Sequence, residues 1–471
     1  MNPPRLPALT ERFLLPALVL LLAACWIFGG DSVRDTSAYP WLSLLALPVL
    51  VFAVVALALD EAKKPLAVRL CLVVALLVAL VPALQLLPVS MALWDRVPAR
   101  HALAADLSIA GVTVLPHWSL DPAATERALW TLLPPLALCL GALALPSWQR
   151  LRLIQAIVAL VLCNVLFAFF QVGLPQDSEL RFYDTFDAGF GGFLANTNHQ
   201  GTACIIGMVL SIGLGAEARL RAARGQARPH LLWWYFGLAG AFLLLVPLST
   251  SRAAMGIALP ILTLALLLTR TLRLRRVVRS RRMAVLALSA VVLAAVGVHA
   301  LLGWMAVDRL EELRHTMAAA AVTIGHQHAP LGAGVGSFVP AFQQGAPESL
   351  LLGNYINHAH NEYAQWWLEA GWLGMSVLTI VLVLLVWAGI QIARHNGRRA
   401  TLAGASLAAL AALLAHSWAD YPLRTLTLMT VAGALAGLLF AALGEAMQQP
   451  RQKRRNGELP SSSREPLLPH P

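Results

Sequence analysis

About a dozen uninterrupted apolar segments dominate this chain, and each is long enough to cross a bilayer as a helix. The hydrocarbon core is about 30 Å thick, so a helix rising 1.5 Å per residue needs roughly 20 apolar residues to span it. The segments run over about 13–30, 41–59, 70–94, 128–146, 153–174, 198–216, 231–248, 253–269, 283–306, 371–393, 400–419 and 425–443. Of the 471 residues 58% are hydrophobic and only 13% charged, against roughly a quarter charged in a soluble protein. The expected fold class is all-α: a polytopic integral membrane protein with about 12 transmembrane helices and one large loop carrying short helices. A single membrane domain is expected over 1–446, followed by a basic, Pro- and Ser-rich tail over 447–471 expected to be disordered. The first segment has no small-residue cleavage site after it and further spans follow, so it reads as a retained anchor.

With twelve spans both termini fall on one side, and the loops of that side hold 26 of the 35 Lys and Arg. The positive-inside rule makes that side cytoplasmic. The net charge of +11 is then an orientation signal, because topology and anionic headgroups already account for the basic run Arg270 to Arg276. Cys25, Cys71, Cys139, Cys163 and Cys204 all lie inside apolar segments without close-paired spacing, which supports neither a disulfide framework nor a thiolate metal site.

The extracytoplasmic face includes four segments of note: about 95–127, 175–197, Ser249 to Arg252, and the longest, 307–370. The last contains a surface helix from Asp308 to about Val322 and then Gly332-Ala333-Gly334-Val335-Gly336. No buried strand precedes these glycines and no Lys-Ser/Thr follows, so a turn packed under a reactive loop is the better reading than a nucleotide loop. Arg252 is either an interface arginine whose head snorkels to water or a fork for an anion such as a lipid diphosphate. Asn196, Asn198 and His199 stand at the mouth of a span, where amides cap helices and also bind sugar hydroxyls.

The most informative stretch is 358–374, where the long loop meets a span. His360 stands beside Asn361 and Glu362, and helical spacing puts Tyr363, Ala364, Trp367, Gly371 and Gly374 near one stripe. A neutral imidazole is suited to take a proton from a hydroxyl near pH 7. A merely structural or exposed histidine remains open on these residues alone. A metal is not preferred: His358-x-His360 and His326-x-His328 are unaccompanied by Asp-x-Asp or His-Glu-x-x-His.

His360-Asn361, nine residues, Gly371, two residues and Gly374 resemble the signature of the O-antigen ligase and O-antigen polymerase superfamily of bacterial membrane glycosyltransferases. Thr250-Ser251-Arg252, Arg314 before Pro330-Leu331-Gly332-x-Gly334, Asn196-x-Asn198-His199, and His416-x-x-x-Asp420-x-Pro422-Leu423 add to it. The likeness covers about 190–425 by motif. Met317 stands where many relatives carry Trp, so Arg309 is the alternative to Arg314 as the loop arginine.

The resemblance implies transfer of a glycan from an undecaprenyl diphosphate carrier to an acceptor hydroxyl at the periplasmic face of the bacterial inner membrane, with no cofactor, metal ion, nucleotide-sugar or nucleic acid. It implies His360 as general base and Arg252 and Arg314 as diphosphate ligands, with Asn196, Asn198, His199, Asn361, Glu362 and Asp420 binding substrate. The acceptor it implies is lipid A-core for a ligase, a second carrier-linked glycan for a polymerase, or a protein hydroxyl. A transporter of polysaccharide or lipid carrier is the rival of another class, and a passive assembly scaffold a third reading.

Overall fold

The computed structural model describes all residues except 1–5, 33–37, 61, 176, 184–189, 227, 229, 273–308, 352–355, 396–397 and 457–471. Among the described residues the chain is helical, with only an isolated bridge between Pro88 and His117. In chain order the helices are α1 (Leu6–Phe28), α2 (Ala38–Leu59), α3 (Leu66–Gln85), α4 (Met91–Trp94), α5 (Pro98–Ile109), α6 (Pro122–Thr131), α7 (Leu133–Ala144), α8 (Ser147–Val172), α9 (Thr197–Ala222), α10 (His230–Leu245) and α11 (Arg252–Leu268). They continue as α12 (Arg309–Gln327), α13 (Phe338–Gly345), α14 (Glu348–Leu351), α15 (Glu362–Arg394), α16 (Arg398–His416) and α17 (Leu426–Asn456). Nine helical segments among the described residues are long and apolar enough to span a bilayer, and Arg12–Phe28 and Arg252–Leu268 are shorter apolar helices. The chain is an all-α polytopic membrane protein. Eleven of the expected spans coincide with these helices, and the segment at 283–306 lies outside the described residues.

Several expected boundaries are corrected. The span expected over 70–94 ends at Gln85, because Pro88 cannot continue the helix and the chain instead turns to let Val89 N–H bond Pro116. The one over 128–146 starts earlier, at Pro122, and breaks at Leu132, ahead of Pro134 and Pro135. The span expected to begin at 371 is the second part of a helix that begins at Glu362. At the end of the chain α17 runs to Asn456, into the region expected to be a disordered tail from 447.

The core is organised on α9, which is buried along almost its whole length between α10, α11, α16 and α8. Small residues allow this approach: a Cβ on Gly213 would lie 2.4 Å from Ala405 of α16, and one on Gly207 2.9 Å from the Phe242 ring of α10. A second layer packs α17 on α7, with Gly433 against the Pro135 carbonyl, and α7 on α2.

At one end of this bundle a polar platform sits on the helix termini. Gln85, the last residue of α3, donates through Nε2 to Leu331 O (2.6 Å) and Glu369 O (2.8 Å) and accepts from Val335 N–H (2.9 Å). Fully buried Arg100 on α5 donates to the carbonyls of Trp118 and Gly332, its guanidinium lying 5.5 and 5.0 Å from the Trp94 and Trp118 rings. Burial draws the Arg100 pKa down to about 10. Nearby His328 is drawn down to about 4, by burial first and the Arg100 charge second.

The turn between α16 and α17 closes the platform. Arg424 donates through Nε to Glu362 (3.1 Å) and through Nη1 to Glu369 (2.7 Å), and Leu423 N–H reaches Glu362 (2.8 Å). Burial works against the Arg424 charge, yet the two carboxylates raise its pKa above the ordinary arginine value.

Arg424→Met leaves two buried acids without their cation, and such losses cost about 3–5 kcal/mol. The expected result is a much lower Tm in detergent, with Arg424→Lys between the two because one ammonium lacks the two-pronged fork. For His328 the unfolded imidazole protonates near 6.5 and the folded one near 4. The unfolded chain thus binds more protons between these values, and stability falls as pH drops from 6.5 towards 4. His328→Gln is expected to make that decline of Tm shallower and to leave the behaviour above pH 7 unchanged.

Candidate active site

The local fold around His360 is set by a helix start and a break. Asn361 caps α15, its Oδ1 accepting from the N–H groups of Tyr363 (3.0 Å) and Ala364 (3.1 Å). His360 therefore precedes the helix, with φ 50°, a left-handed conformation that costs a non-glycine residue roughly 1–3 kcal/mol. The expected stripe running from His360 to the two glycines is corrected by this geometry. It is also interrupted at Gly371, which has φ 54° and ψ −149°.

That break is where the glycine loop docks. Ala333 and Gly334 N–H groups bond the carbonyls of Leu368 and Glu369 (both 2.9 Å), and Trp372 N–H bonds Pro330 O (2.8 Å). A Cβ on Gly371 would lie 2.4 Å from the Pro330 carbonyl, so both its backbone angle and its lack of a side chain are required. The Gly332-to-Gly336 segment is thus the supporting turn expected from sequence.

His360 Nδ1 faces Asp420 Oδ1 at 3.4 Å, with the imidazole side chain 21% exposed and the carboxylate 1%. Asp420 Oδ1 also accepts from Tyr421 N–H (2.9 Å), and its Oδ2 from Asn196 Nδ2 (3.3 Å). Burial alone would raise the Asp420 pKa, but the His360 contact and the nearby His199 and Arg314 hold it well below the carboxylate range. Behind the carboxylate stand His199, fully buried with neither ring nitrogen hydrogen-bonded among the described residues, and His416, whose Nδ1 is hydrogen-bonded to Thr202. The rings of His199, His358 and His360 all pack on Tyr421.

The structure thus brings together His360, Asp420, Asn196, His199 and Arg314 from α9, α12, the α15 entry and the turn after α16. Asn196 caps α9, its Oδ1 accepting from Asn198 N–H (2.8 Å), while its amide nitrogen donates to Asp420 (3.3 Å). Half-buried Arg314 lies close enough to bias Asp420, His416 and Tyr421. Arg309 is the first residue of α12. Arg252 opens α11, and its turn packs on α9 at Gly201, where a Cβ would lie 2.7 Å from Ser249 Oγ. Two expected ligands are otherwise employed: the Asn361 side-chain oxygen caps α15, and both Glu362 oxygens hold the turn at Leu423 and Arg424.

Several residues of the site end were missed from sequence. Buried His358 bonds Ser32 O through Nε2 (3.1 Å) and contacts Gln365 at Nδ1 (3.3 Å); burial and Arg424 draw its pKa down to about 3, which keeps it neutral. Gln365 donates on to Glu369 (3.1 Å). The spacing Glu362, Gln365, Glu369 marks one polar face at the start of a span, a signal that a buried cation must lie opposite. No pattern marked Tyr421. Among the described residues no group of three or more His, Cys, Asp or Glu is arranged to hold a metal ion.

Two cavities adjoin the platform. The larger, about 590 Å³, is lined by Ser32, Tyr39, Arg127, His358, Glu369 and Arg424 among others. The smaller, about 360 Å³, runs between α3 and α15 past Val78, Trp366 and Val377 and shares Tyr39, Gly336 and Arg424 with the first.

Residues 236–379 match the model of the family described as O-antigen ligase, and no curated protein matches the chain. The matched span contains Arg252, Arg314, the glycine loop, His360, Gly371 and Gly374, while Asn196 to His199 and Asp420 lie outside it. The chain is therefore a polytopic membrane protein that matches the O-antigen ligase family over residues 236–379, which supports a place among these membrane glycosyltransferases.

Proposed function

We propose that this protein moves a glycan from an undecaprenyl diphosphate carrier to an acceptor hydroxyl at the periplasmic face of the inner membrane, in the manner of an O-antigen ligase. The observation that carries this reading is the partly exposed His360 imidazole held in left-handed backbone against the buried, ionised Asp420. His360 accepts the proton of the acceptor hydroxyl while its oxygen bonds to the anomeric carbon. The bond from that carbon to the diphosphate breaks, and polyprenyl diphosphate leaves with the electron pair. Asp420 orients the imidazole and stabilises the imidazolium, as carboxylates do for catalytic histidines.

Arg252 and Arg314 bind the diphosphate, whose oxygens suit a guanidinium fork. Half-buried Asn198 faces the sugar beside them, with Asn196 and buried His199 supporting it from behind. The two apolar-lined cavities suit a polyprenyl chain, since they lie between spanning helices and end at the polar platform. Both termini and the basic loops are cytoplasmic in this reading, and the acceptor arrives from the outer side.

General-base contributions are typically about 10²- to 10⁴-fold, so His360→Ala is expected to lower kcat at least about 100-fold in proteoliposomes supplied with the lipid-linked glycan. Undiminished transfer removes the assignment. Running lipid A-core, a second carrier-linked glycan and a protein as separate acceptors identifies the product class, and counterflow without transfer identifies a transporter instead. Arg252→Lys keeps charge but loses the fork; donor KM is expected to rise about 10-fold or more, and an unchanged KM removes Arg252 from the diphosphate site.

A further inference from the structure

Tyr421 stands where three imidazoles meet. Its ring centroid lies 4.3 Å from that of His358, 4.9 Å from His360 and 5.2 Å from His199, the last two edge to face at 67° and 85°. The phenol lies beside the Asn196 and Ser32 side chains, and the backbone N–H donates to Asp420 Oδ1 (2.9 Å). Both ends of the side chain are therefore fixed, one by the cap of α9 and the segment after α1, the other by the carboxylate that faces His360.

His360 needs such a support. It stands outside α15, in a strained backbone conformation, so no helix turn limits its rotamer. Its polar contact among the described residues, to Asp420 at 3.4 Å, is longer than the 2.7–3.2 Å of an N–H···O bond. The Tyr421 ring is the aromatic surface against the imidazole, and it is also well placed to meet the positive charge that appears when the imidazole is protonated. Through His358 and Ser32, which line the larger cavity, the same ring joins that cavity's wall to the His360 loop.

We propose that Tyr421 is a positioning residue: its ring, rather than its phenolic oxygen, holds the His360 imidazole in the orientation that faces the acceptor hydroxyl. The proposal rests on His360 being the base. A misplacement of about 1 Å can cost about 100-fold in rate, so the effect belongs in kcat and not in donor binding.

The test compares Tyr421→Phe, which keeps the ring, with Tyr421→Leu, which does not. Expected are a loss in kcat of about 50-fold or more for Leu with donor KM within about threefold, and recovery to within about fivefold of wild type for Phe. Tyr421→Met repeats the ring-less arm if the Leu protein does not fold. In nanodiscs, an NMR titration of ¹⁵N-labelled histidine is expected to find the His360 midpoint moved in the ring-less protein and restored in Phe. Equal loss of kcat in Phe and the ring-less protein overturns the proposal, as does a ring-less protein with wild-type kcat and an unmoved His360 titration. His360→Ala is assayed alongside: if it transfers glycan normally the base assignment fails, while the titrations still judge whether Tyr421 sets the state of the imidazole.

Discussion

The contact on which the site end depends is Arg424 between Glu362 and Glu369. The two acids lie on one face of the first turns of α15, in a part of the protein otherwise lined by apolar helices. Buried carboxylates there are unfavourable without a cation, and the short turn after α16 brings one. Satisfying them therefore fixes where that turn sits. Because Asp420 and Tyr421 are four and three residues before Arg424, the same pairing sets both groups against the residue that precedes α15. The ion pair thus sets the register of the residues proposed to act at His360.

A second constraint runs from below. The break at Gly371 lets the Pro330 to Gly336 segment bond the backbone on both sides of it, and Gln85 and Arg100 bind that segment to α3 and α5. The nine-residue interval between Asn361 and Gly371 then has a physical meaning. It is the length of a short helix capped at one end by an asparagine and stopped at the other where a loop crosses beneath it. The glycines of the signature do not contact the imidazole; they hold the platform on which its loop is mounted.

Much of this was legible in the residues. Apolar length announced the spans, and Asn196 and Asn361 announced helix starts because short amides satisfy free N–H groups there. The His360 and Gly371 spacing marks the region, and the glycine run without a following Lys-Ser/Thr marks a supporting turn. What stayed hidden depended on long-range pairing. Asp420 and His360 are sixty residues apart, and Tyr421 meets His199, His358 and His360 from three different segments, so no local period marks it. The helical stripe drawn from His360 failed for a local reason: a capping asparagine next to it ends helical geometry before it reaches the histidine. The hold of Glu362 on the turn also stayed hidden, because its cation is sixty-two residues away.

The two sets of acids also differ in what they leave open. Glu362 has both oxygens engaged by donors at 2.8 and 3.1 Å, and its partner carries a permanent charge. Asp420 is held by neutral donors, an amide N–H and an asparagine side chain, and meets His360 only at 3.4 Å. A proton arriving on the imidazole turns that loose contact into a charge-assisted bond, which closes to about 2.7–2.9 Å and is roughly twice as strong as a neutral one. The gain is absent while the imidazole is neutral and present once the proton has moved. In the proposed reaction the interaction therefore strengthens as the transition state is approached, which is the condition under which binding energy lowers a barrier rather than merely tightening a complex.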